Sequence, residues 1–247
     1  MKILKDLVDS IESYQVKQVF IGVFDTLVWS QNLGFASTLR EEEKPHQGIK
    51  EAGNLIYKSA RELSQYVFSD NLLEASLGMA AINSALPVNR EKFKFINAQE
   101  LFLEKGKGKT VGVIGHFPFV EKIGNEFKKM YVFEKHPKLN DLHEKDIADY
   151  LPQTEVVAIT STTLTNHTFE NIMKFINIES YVIMLGPTTP VSPILFHYGV
   201  DAVSGLLVRK KNINCVIAQV KEATPYRDIK GKEYITILKE DYIGRYI

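Results

Sequence analysis

Cysteine is almost absent from this sequence, since Cys215 is the single one among 247 residues. One thiol excludes an intramolecular disulfide and any metal site built mainly from thiolates. Cys215 lies in the apolar segment NINCVIAQV, which predicts a small buried side chain instead of a reactive nucleophile. Cysteine chemistry therefore gives no indication of function.

Net charge and long apolar segments are also missing. The 30 lysine and arginine residues balance 30 aspartate and glutamate residues. The basic residues are scattered, which argues against nucleic acid or an anionic membrane as a partner. No apolar run approaches the roughly 20 residues that a membrane-spanning helix requires. The opening segment MKILKDLVDSIES has apolar residues at helical spacing between charges, which indicates an amphipathic helix and not a secretory signal. We therefore expect a cytoplasmic protein.

The first part of the chain has the pattern of a small α+β domain. The segments VKQVFIGVFDTLVWS and NLGFASTLR are rich in β-branched and aromatic residues, so each is predicted as a strand, with a bulge or turn at Gly34. Helical spacing follows in EAGNLIYKSARELSQYV and in NLLEASLGMAAINSAL, where Asp70 or Asn71 is the expected cap. The small residues of the latter helix would let another backbone approach closely.

A polar segment, EKGKGKT at residues 104–110, marks a change of pattern. It is too rich in lysine and glycine to pack, so it is the predicted linker. We therefore expect two domains, residues 1–104 and 105–247.

Beyond that segment, short apolar runs alternate with helical patterns. The predicted strands are TVGVIGHF, MYVFEKHP, EVVAIT, SYVIMLG and VDAVSGLLV. Helical segments such as PFVEKIGNEFKK and TFENIMKFIN lie between them. This alternation is typical of βαβ units, and it predicts a Rossmann-like domain with a doubly wound parallel sheet. Residues 227–247 are expected to form a hairpin or a covering segment.

In such a sheet the segments that follow the strands meet at one edge, where ligands bind. Gly115 and His116 follow the first of these strands, and Glu134 follows the second. Glu134 lies about twenty residues beyond the glycine turn, the spacing at which Rossmann domains place an acidic group on ribose hydroxyls. The alternatives are a tight turn at the glycine and a solvated charge at Glu134.

Hydroxyl-rich segments follow the third and fourth strands of this half. AITSTTLTNHT contains Thr162, Thr163 and Asn166, and GPTTPVSP contains further hydroxyls. Hydroxyl groups and exposed backbone N–H groups suit a polar or anionic ligand. Capping of the next helix by Thr165 or Asn166 is the alternative, and His167 is expected on the outer side of that helix.

Catalytic motifs are scarce. No nucleophile elbow, P-loop or paired-histidine metal spacing is present in the sequence. A metal site assembled in three dimensions from His116, His167 and His197 remains an alternative hypothesis.

Taken together, four segments resemble a known family: SLGMAAINS, GVIGHFPFVE, VVAITSTTLTNHT and LGPTTPVSPILFHYGVDAVSG. The family is the one labelled "putative heavy-metal chelation", and the resemblance covers nearly the whole chain. It implies an enolase N-terminal-like domain followed by a Rossmann-like domain, with a ligand cleft between them. It also implies binding or processing of small chelators or of pterin- and flavin-like molecules.

The resemblance implies the following site. Its residues are Asn83, Ser37, Thr38, Gly115, Glu134, Thr162, Thr163, Asn166, Gly186, Pro187 and Thr188, and His116 is added as a ligand-binding candidate because it lies near a strand end. Among them Glu134, Asn83 and Thr163 are the candidates for catalysis, and no residue is assigned to a metal.

The leading hypothesis is a protein that binds and processes a small heterocyclic or chelator-like metabolite in that cleft, linked to heavy-metal handling. The alternatives are a non-catalytic carrier or sensor of a metal–chelator complex and an S-adenosylmethionine-type nucleoside-dependent transferase. The sequence identifies no cofactor, and a homo-oligomer remains open.

Overall fold

The computed structural model describes residues 1–40 and 48–242. A three-stranded antiparallel sheet lies near the start of the chain, in the order β1-β2-β3. Its strands are β1 (Gln18–Ile21), β2 (Asp25–Trp29) and β3 (Leu33–Ser37). The helices of this unit are α1 (Lys2–Asp9), α2 (Ala60–Ser64) and α3 (Leu72–Ala85). Helix α1 is amphipathic as predicted, and Asn71 caps α3 by accepting a hydrogen bond from the N–H of Leu73.

Helix α3 packs unusually close to β3. A Cβ atom on Gly34 would collide with the carbonyl oxygen of Ala80 and the amide nitrogen of Ser84. The prediction of a bulge or turn at Gly34 is therefore wrong, because Gly34 pairs with Val28 inside the strand. The small residues of α3 do accommodate a neighbouring backbone, as the sequence predicts.

A seven-stranded sheet forms the rest of the protein. Its order is β10-β9-β8-β7-β4-β5-β6, and every pair is parallel except β9 with β10. The strands are β4 (Thr110–Ile114), β5 (Lys129–Glu134), β6 (Leu142–His143), β7 (Val156–Thr160), β8 (Tyr181–Leu185), β9 (Ala202–Val208) and β10 (Lys232–Leu238). Numbered within this sheet, the parallel strands follow the Rossmann order 3-2-1-4-5-6.

Helices cover both faces of the large sheet. They are α4 (Ala98–Gly106), α5 (Val120–Ile123), α6 (Ile147–Tyr150), α7 (Thr162–Thr165), α8 (Phe169–Met173) and α9 (Ile213–Lys221). Short 3-10 helices complete the connections: Leu55–Tyr57, Gln65–Phe68, Arg90–Lys92, Gly124–Glu126, Glu144–Asp146, Leu151–Gln153, Pro193–Tyr198, Lys210–Asn212, Tyr226–Asp228 and Lys239–Asp241. The predicted fold class, a small α+β unit and a doubly wound parallel sheet, is confirmed.

The two sheet faces belong to different apolar clusters. Ile114 and Ile159 pack in the same cluster as Leu7 and Leu77 of the small unit. On the opposite face, the buried side chain of Phe102 from α4 belongs to a second cluster. Because side chains alternate along a strand, one face of β4 and β7 meets the small unit and the other meets α4 and α5.

Several details of the sequence prediction are wrong. The segment predicted as one strand, VKQVFIGVFDTLVWS, forms both β1 and β2, because the chain reverses where the N–H of Gly22 bonds to the carbonyl of Asp25. The predicted linker begins inside α4, which ends at the buried Gly106. Cys215 is exposed on α9 and not buried. In residues 227–247, β10 pairs with β9 as an antiparallel edge strand, while residues 243–247 lie outside the described residues.

None of the helices within residues 1–40 and 48–242 has both the length and the apolar character needed to cross a membrane.

A buried carboxyl group on β2 gives a prediction about stability. Asp25 is 2% exposed, and burial raises its pKa to about 7 although Lys232 opposes this shift. The unfolded pKa is about 3.9, so the folded protein binds the proton more tightly, and the free energy of unfolding falls as pH rises from about 4 to about 7. Between about pH 5 and about pH 8, the free energy of unfolding should fall roughly 2 kcal/mol more in the wild type than in Asp25→Asn, as measured by urea denaturation.

The exposed Asp149 provides the control, because Asp149→Asn should leave the pH dependence unchanged. Equal pH dependence in the wild type and in Asp25→Asn would contradict the assignment to Asp25.

Candidate functional site

A cavity of about 800 Å³ lies at the carboxyl ends of β4, β5 and β7. The chain leaves β4 toward β5 on one side and returns on the other side as β7, so this is the topological switch point at which open α/β sheets bind ligands. We call it the switch-point cavity. Six predicted site residues line it: Gly115, His116, Glu134, Thr162, Thr163 and Asn166. Leu39, Arg40 and Leu72 of the small unit complete the wall.

The turn after β4 holds the first of these groups in place. Gly115 adopts a φ of +97°, a conformation that other residues rarely adopt. The backbone N–H of His116 then donates to Glu134 Oε1 at 2.7 Å. Glu134 Oε2 accepts from the N–H of Lys135 at 3.1 Å. Each carboxylate oxygen keeps a second acceptor position for ligand hydroxyls.

His116 also forms a buried pair with Asp141. Its Nδ1 lies 2.9 Å from Asp141 Oδ2, and the two side chains are only 11% and 4% exposed. Asp141 Oδ2 also accepts from the N–H of Lys138 at 3.1 Å. A carboxylate accepts hydrogen bonds, so Nδ1 carries the proton and the neutral ring keeps its acceptor lone pair at Nε2. Within the described residues, the polar contact of Nε2 is the exposed Glu121 at 3.7 Å.

The hydroxyl-rich segment after β7 combines structural and lining roles. Thr162 Oγ1 lies 3.0 Å from Thr160 Oγ1, and the Thr163 hydroxyl donates to the carbonyl of Thr160 at 2.6 Å. Asn166 Oδ1 accepts from the N–H and the hydroxyl of Thr168, just before α8. Asn166 thus orders the start of that helix while it lines the cavity. Of the two threonines, Thr162 is half-buried and Thr163 is buried.

The remaining predicted site residues lie elsewhere. Asn83 donates from Nδ2 to the carbonyl oxygens of Phe35 and Thr188, at 2.7 and 3.0 Å. The Thr188 hydroxyl accepts from the N–H of Ser37, and Thr38 bonds through its hydroxyl to Thr26.

Asn83 and Ser37 join the small unit to Thr188 in the segment after β8, and none of these groups lines the switch-point cavity. Gly186 and Pro187 line a second, smaller cavity. The segments after β7 and β8 therefore do not open on one cavity, in contrast to the prediction.

The histidines of the metal hypothesis lie in different surroundings. His167 does not lie on the outer side of a helix: its Nε2 is 2.7 Å from the carbonyl of Val67 in the small unit. His197 is exposed. Within residues 1–40 and 48–242, no group of three or more His, Cys, Asp or Glu side chains is placed to hold a metal ion.

Sequence reasoning missed the cationic and acidic partners in this region. Arg40, Lys135 and His136 line the switch-point cavity, and Asp141 supports His116 from the segment before β6. Arg40 and Lys135 lie near the carboxyl ends of the predicted strand segments NLGFASTLR and MYVFEKHP, which is a signal that could have found them. No local motif indicates Asp141, because its pairing with His116 spans 25 positions.

The fold and the cavity define a two-unit α/β protein with a Rossmann-like sheet and a polar site at its switch point. Two family models, both described as "Putative heavy-metal chelation", match residues 4–86 and 97–239. The chain belongs to this family.

One relative is similar in sequence to part of this chain. An uncharacterized protein of Methanocaldococcus jannaschii is 33% identical over 173 residues, which cover 66% of this chain. The match spans only 65% of that relative's length.

Crystal structures of two DUF364-family proteins of unknown function share the fold. The protein from Desulfitobacterium hafniense has a TM-score of 0.83 at 24% identity, covering 96% of this chain and 98% of that one. The protein from Pyrococcus horikoshii has a TM-score of 0.81 at 21% identity, with the same coverage.

Proposed function

We propose that the switch-point cavity binds a small heterocyclic or chelator-like metabolite of the pterin, flavin or metallophore kind, and that His116 transfers a proton to or from it. The observation that carries this proposal is the buried His116–Asp141 pair beside a cavity of about 800 Å³. Cavities of roughly 300–1,000 Å³ suit ligands of this size. The family's description, "Putative heavy-metal chelation", is the reason for including metallophore-like ligands.

The polar groups of the switch-point cavity would each bind a different part of the ligand. Arg40 and Lys135 bring positive charge, which suits acidic groups on a chelator or a pterin. Glu134 would accept hydrogen bonds from ligand hydroxyl or amino groups with its free lone pairs. The Thr162 hydroxyl can donate or accept, so it would orient a ring carbonyl or nitrogen.

His116 is the strongest acid–base candidate in this arrangement. Asp141 fixes the tautomer, so Nε2 can accept a proton from the ligand and return it later in the reaction. Glu134 is a weaker candidate, because both of its oxygens already accept backbone N–H bonds. We assign it to positioning of the β4 turn and to ligand binding.

A nucleoside-dependent transferase is the second candidate function. It is favoured by Glu134, which ends the strand next to β4 and lies beside Gly115, where Rossmann proteins hold ribose hydroxyls. The ligand test below includes S-adenosylmethionine for this reason.

Ligand binding can be tested at Thr162. Wild-type protein should gain thermal stability with at least one member of a panel of a pterin, a flavin, S-adenosylmethionine and a catecholate chelator with and without ferric ion. Thr162→Val removes one hydroxyl at nearly constant shape, and a lost hydrogen bond should weaken that ligand about 3- to 10-fold by isothermal titration.

Thr110→Val is the matched control, because Thr110 lies at the opposite end of β4. Mass spectrometry of small molecules released from purified protein extends the search beyond the panel. The proposal would be overturned if no ligand stabilises the protein and none is released, or if both variants bind equally well.

A further inference from the structure

A second cavity, of about 360 Å³, lies on the other side of the segment 115–119. It is bounded by the start of α4, the end of β8 and the side chains of β9 and β10. Of the proposed metabolite site it shares only Phe117, which lines both cavities. We call it the aromatic cavity, after the rings of Phe117, Phe119, Tyr226 and Tyr234 that line it.

The four rings form two ordered pairs. Phe117 and Phe119 are stacked, with centroids 5.3 Å apart and planes within 3°. Tyr226 and Tyr234 meet edge to face, with centroids 6.4 Å apart. Tyr234 is 41% exposed, and Lys232 Nζ lies over its ring, 5.6 Å from the centroid. Aromatic rings bind other flat rings by stacking and by edge contacts.

The charged side chains that line this cavity are all positive. Its charged lining residues are Lys122 and Arg227, and among the described residues that line it there is neither aspartate nor glutamate. Arg227 Nε lies 3.5 Å from the exposed Asp228, a surface ion pair that contributes little. The remaining guanidinium donors can bind an anion in a bidentate manner. The positive charge therefore has no acidic partner inside the cavity.

We infer that the aromatic cavity binds a planar aromatic carboxylate of one or two fused rings, with its ring against the Phe and Tyr side chains and its carboxylate at Lys122 and Arg227. The volume lies at the lower end of the range for small-molecule sites, which limits the ligand to about two rings. This site would exist whether or not the switch-point cavity binds the proposed metabolite.

Three small molecules test separately whether binding requires the flat aromatic ring and whether it requires the negative charge. Naphthoate should bind wild-type protein in isothermal titration. Naphthamide, which keeps the rings and lacks the charge, should bind about tenfold more weakly, and so should the saturated decalin carboxylate, which keeps the charge and lacks the flat ring. Failure of naphthoate to bind, or equal binding of all three, would overturn the inference.

Variants then locate the binding. Because Lys122 and Arg227 are exposed, the double variant Lys122→Gln, Arg227→Gln should fold normally and bind naphthoate at least about tenfold more weakly, with little change for naphthamide. Lys128→Gln, at an exposed lysine outside the cavity, is the control. A double variant that binds naphthoate like the wild type would contradict the assignment.

The variant Thr162→Val distinguishes this site from the proposed metabolite site. It should leave naphthoate binding unchanged, since Thr162 lines only the switch-point cavity. Loss of naphthoate binding in Thr162→Val but not in the lysine–arginine double variant would place the acid in the switch-point cavity and overturn the second site.

Discussion

Asp141→Asn should lower turnover of the metabolite about 10²- to 10⁴-fold while changing its Kd by less than about threefold. The carboxylate accepts both the His116 Nδ1 proton and the N–H of Lys138. Asparagine keeps one oxygen for these two hydrogen bonds, and its NH₂ group replaces Oδ1, which lies 3.2 Å from Nδ1. The variant also removes the negative charge that stabilises the ring after Nε2 has accepted a proton, so proton transfer through His116 becomes slower.

Two measurements separate this effect from a general structural one. Long-range ¹H–¹⁵N NMR of the histidine rings should show a changed signal for His116 Nδ1, and kcat should fall while the Kd of the metabolite stays within about threefold of the wild-type value. Asp149→Asn makes the same chemical change at an exposed site and should alter neither. Wild-type turnover in Asp141→Asn would exclude His116 as the proton-transferring group, and tight binding without any turnover in the wild type would define a carrier.

Replacing Gly34 by alanine should destabilise the fold by about 3 kcal/mol or more. The added methyl group would meet the backbone of α3 at Ala80 and Ser84, and backbone atoms cannot move aside as a flexible side chain can. Strand β3 or helix α3 must shift instead. Urea denaturation followed by the fluorescence of Trp29, the single tryptophan, reports this change directly, because Trp29 lies at the end of the neighbouring strand β2.

Gly48→Ala is the matched control, since a Cβ atom there meets no heavy atom of residues 1–40 and 48–242 within 4 Å. The urea concentration at its unfolding midpoint should be close to that of the wild type. If the urea midpoint of Gly34→Ala were equally close to the wild-type value, strand β3 and helix α3 could move apart with little loss of stability.

The strands of the large sheet could be predicted because each can be recognised from its own segment of the sequence. Buried parallel strands are short apolar runs, and the intervening segments carry helical spacing, so β4, β5, β7, β8 and β9 could be recognised one at a time. The boundary between β1 and β2 could not, because the turn from Gly22 to Asp25 interrupts an otherwise apolar run without a proline or a glycine pair.

The candidate site was only partly predictable for a related reason. Strand order explains why residues after β4, β5 and β7 meet, and Gly115, Glu134 and Thr162 do line one cavity. Parallel strands also bring the segment after β8 to the same edge, yet Thr188 turns toward Ser37 and leaves the cavity. Which way a loop turns depends on partners far away in the chain, and these leave no local pattern.

Phe117 is shared by the two cavities, and this sharing has a thermodynamic consequence. If a ligand on one side displaced the ring, the volume on the other side would change and occupancy of the two cavities would be coupled. Such coupling is reciprocal, and values of about 1–3 kcal/mol are typical. Each ligand would alter the affinity for the other by the same factor, whichever is added first, which makes the segment 115–119 a point of communication as well as a boundary.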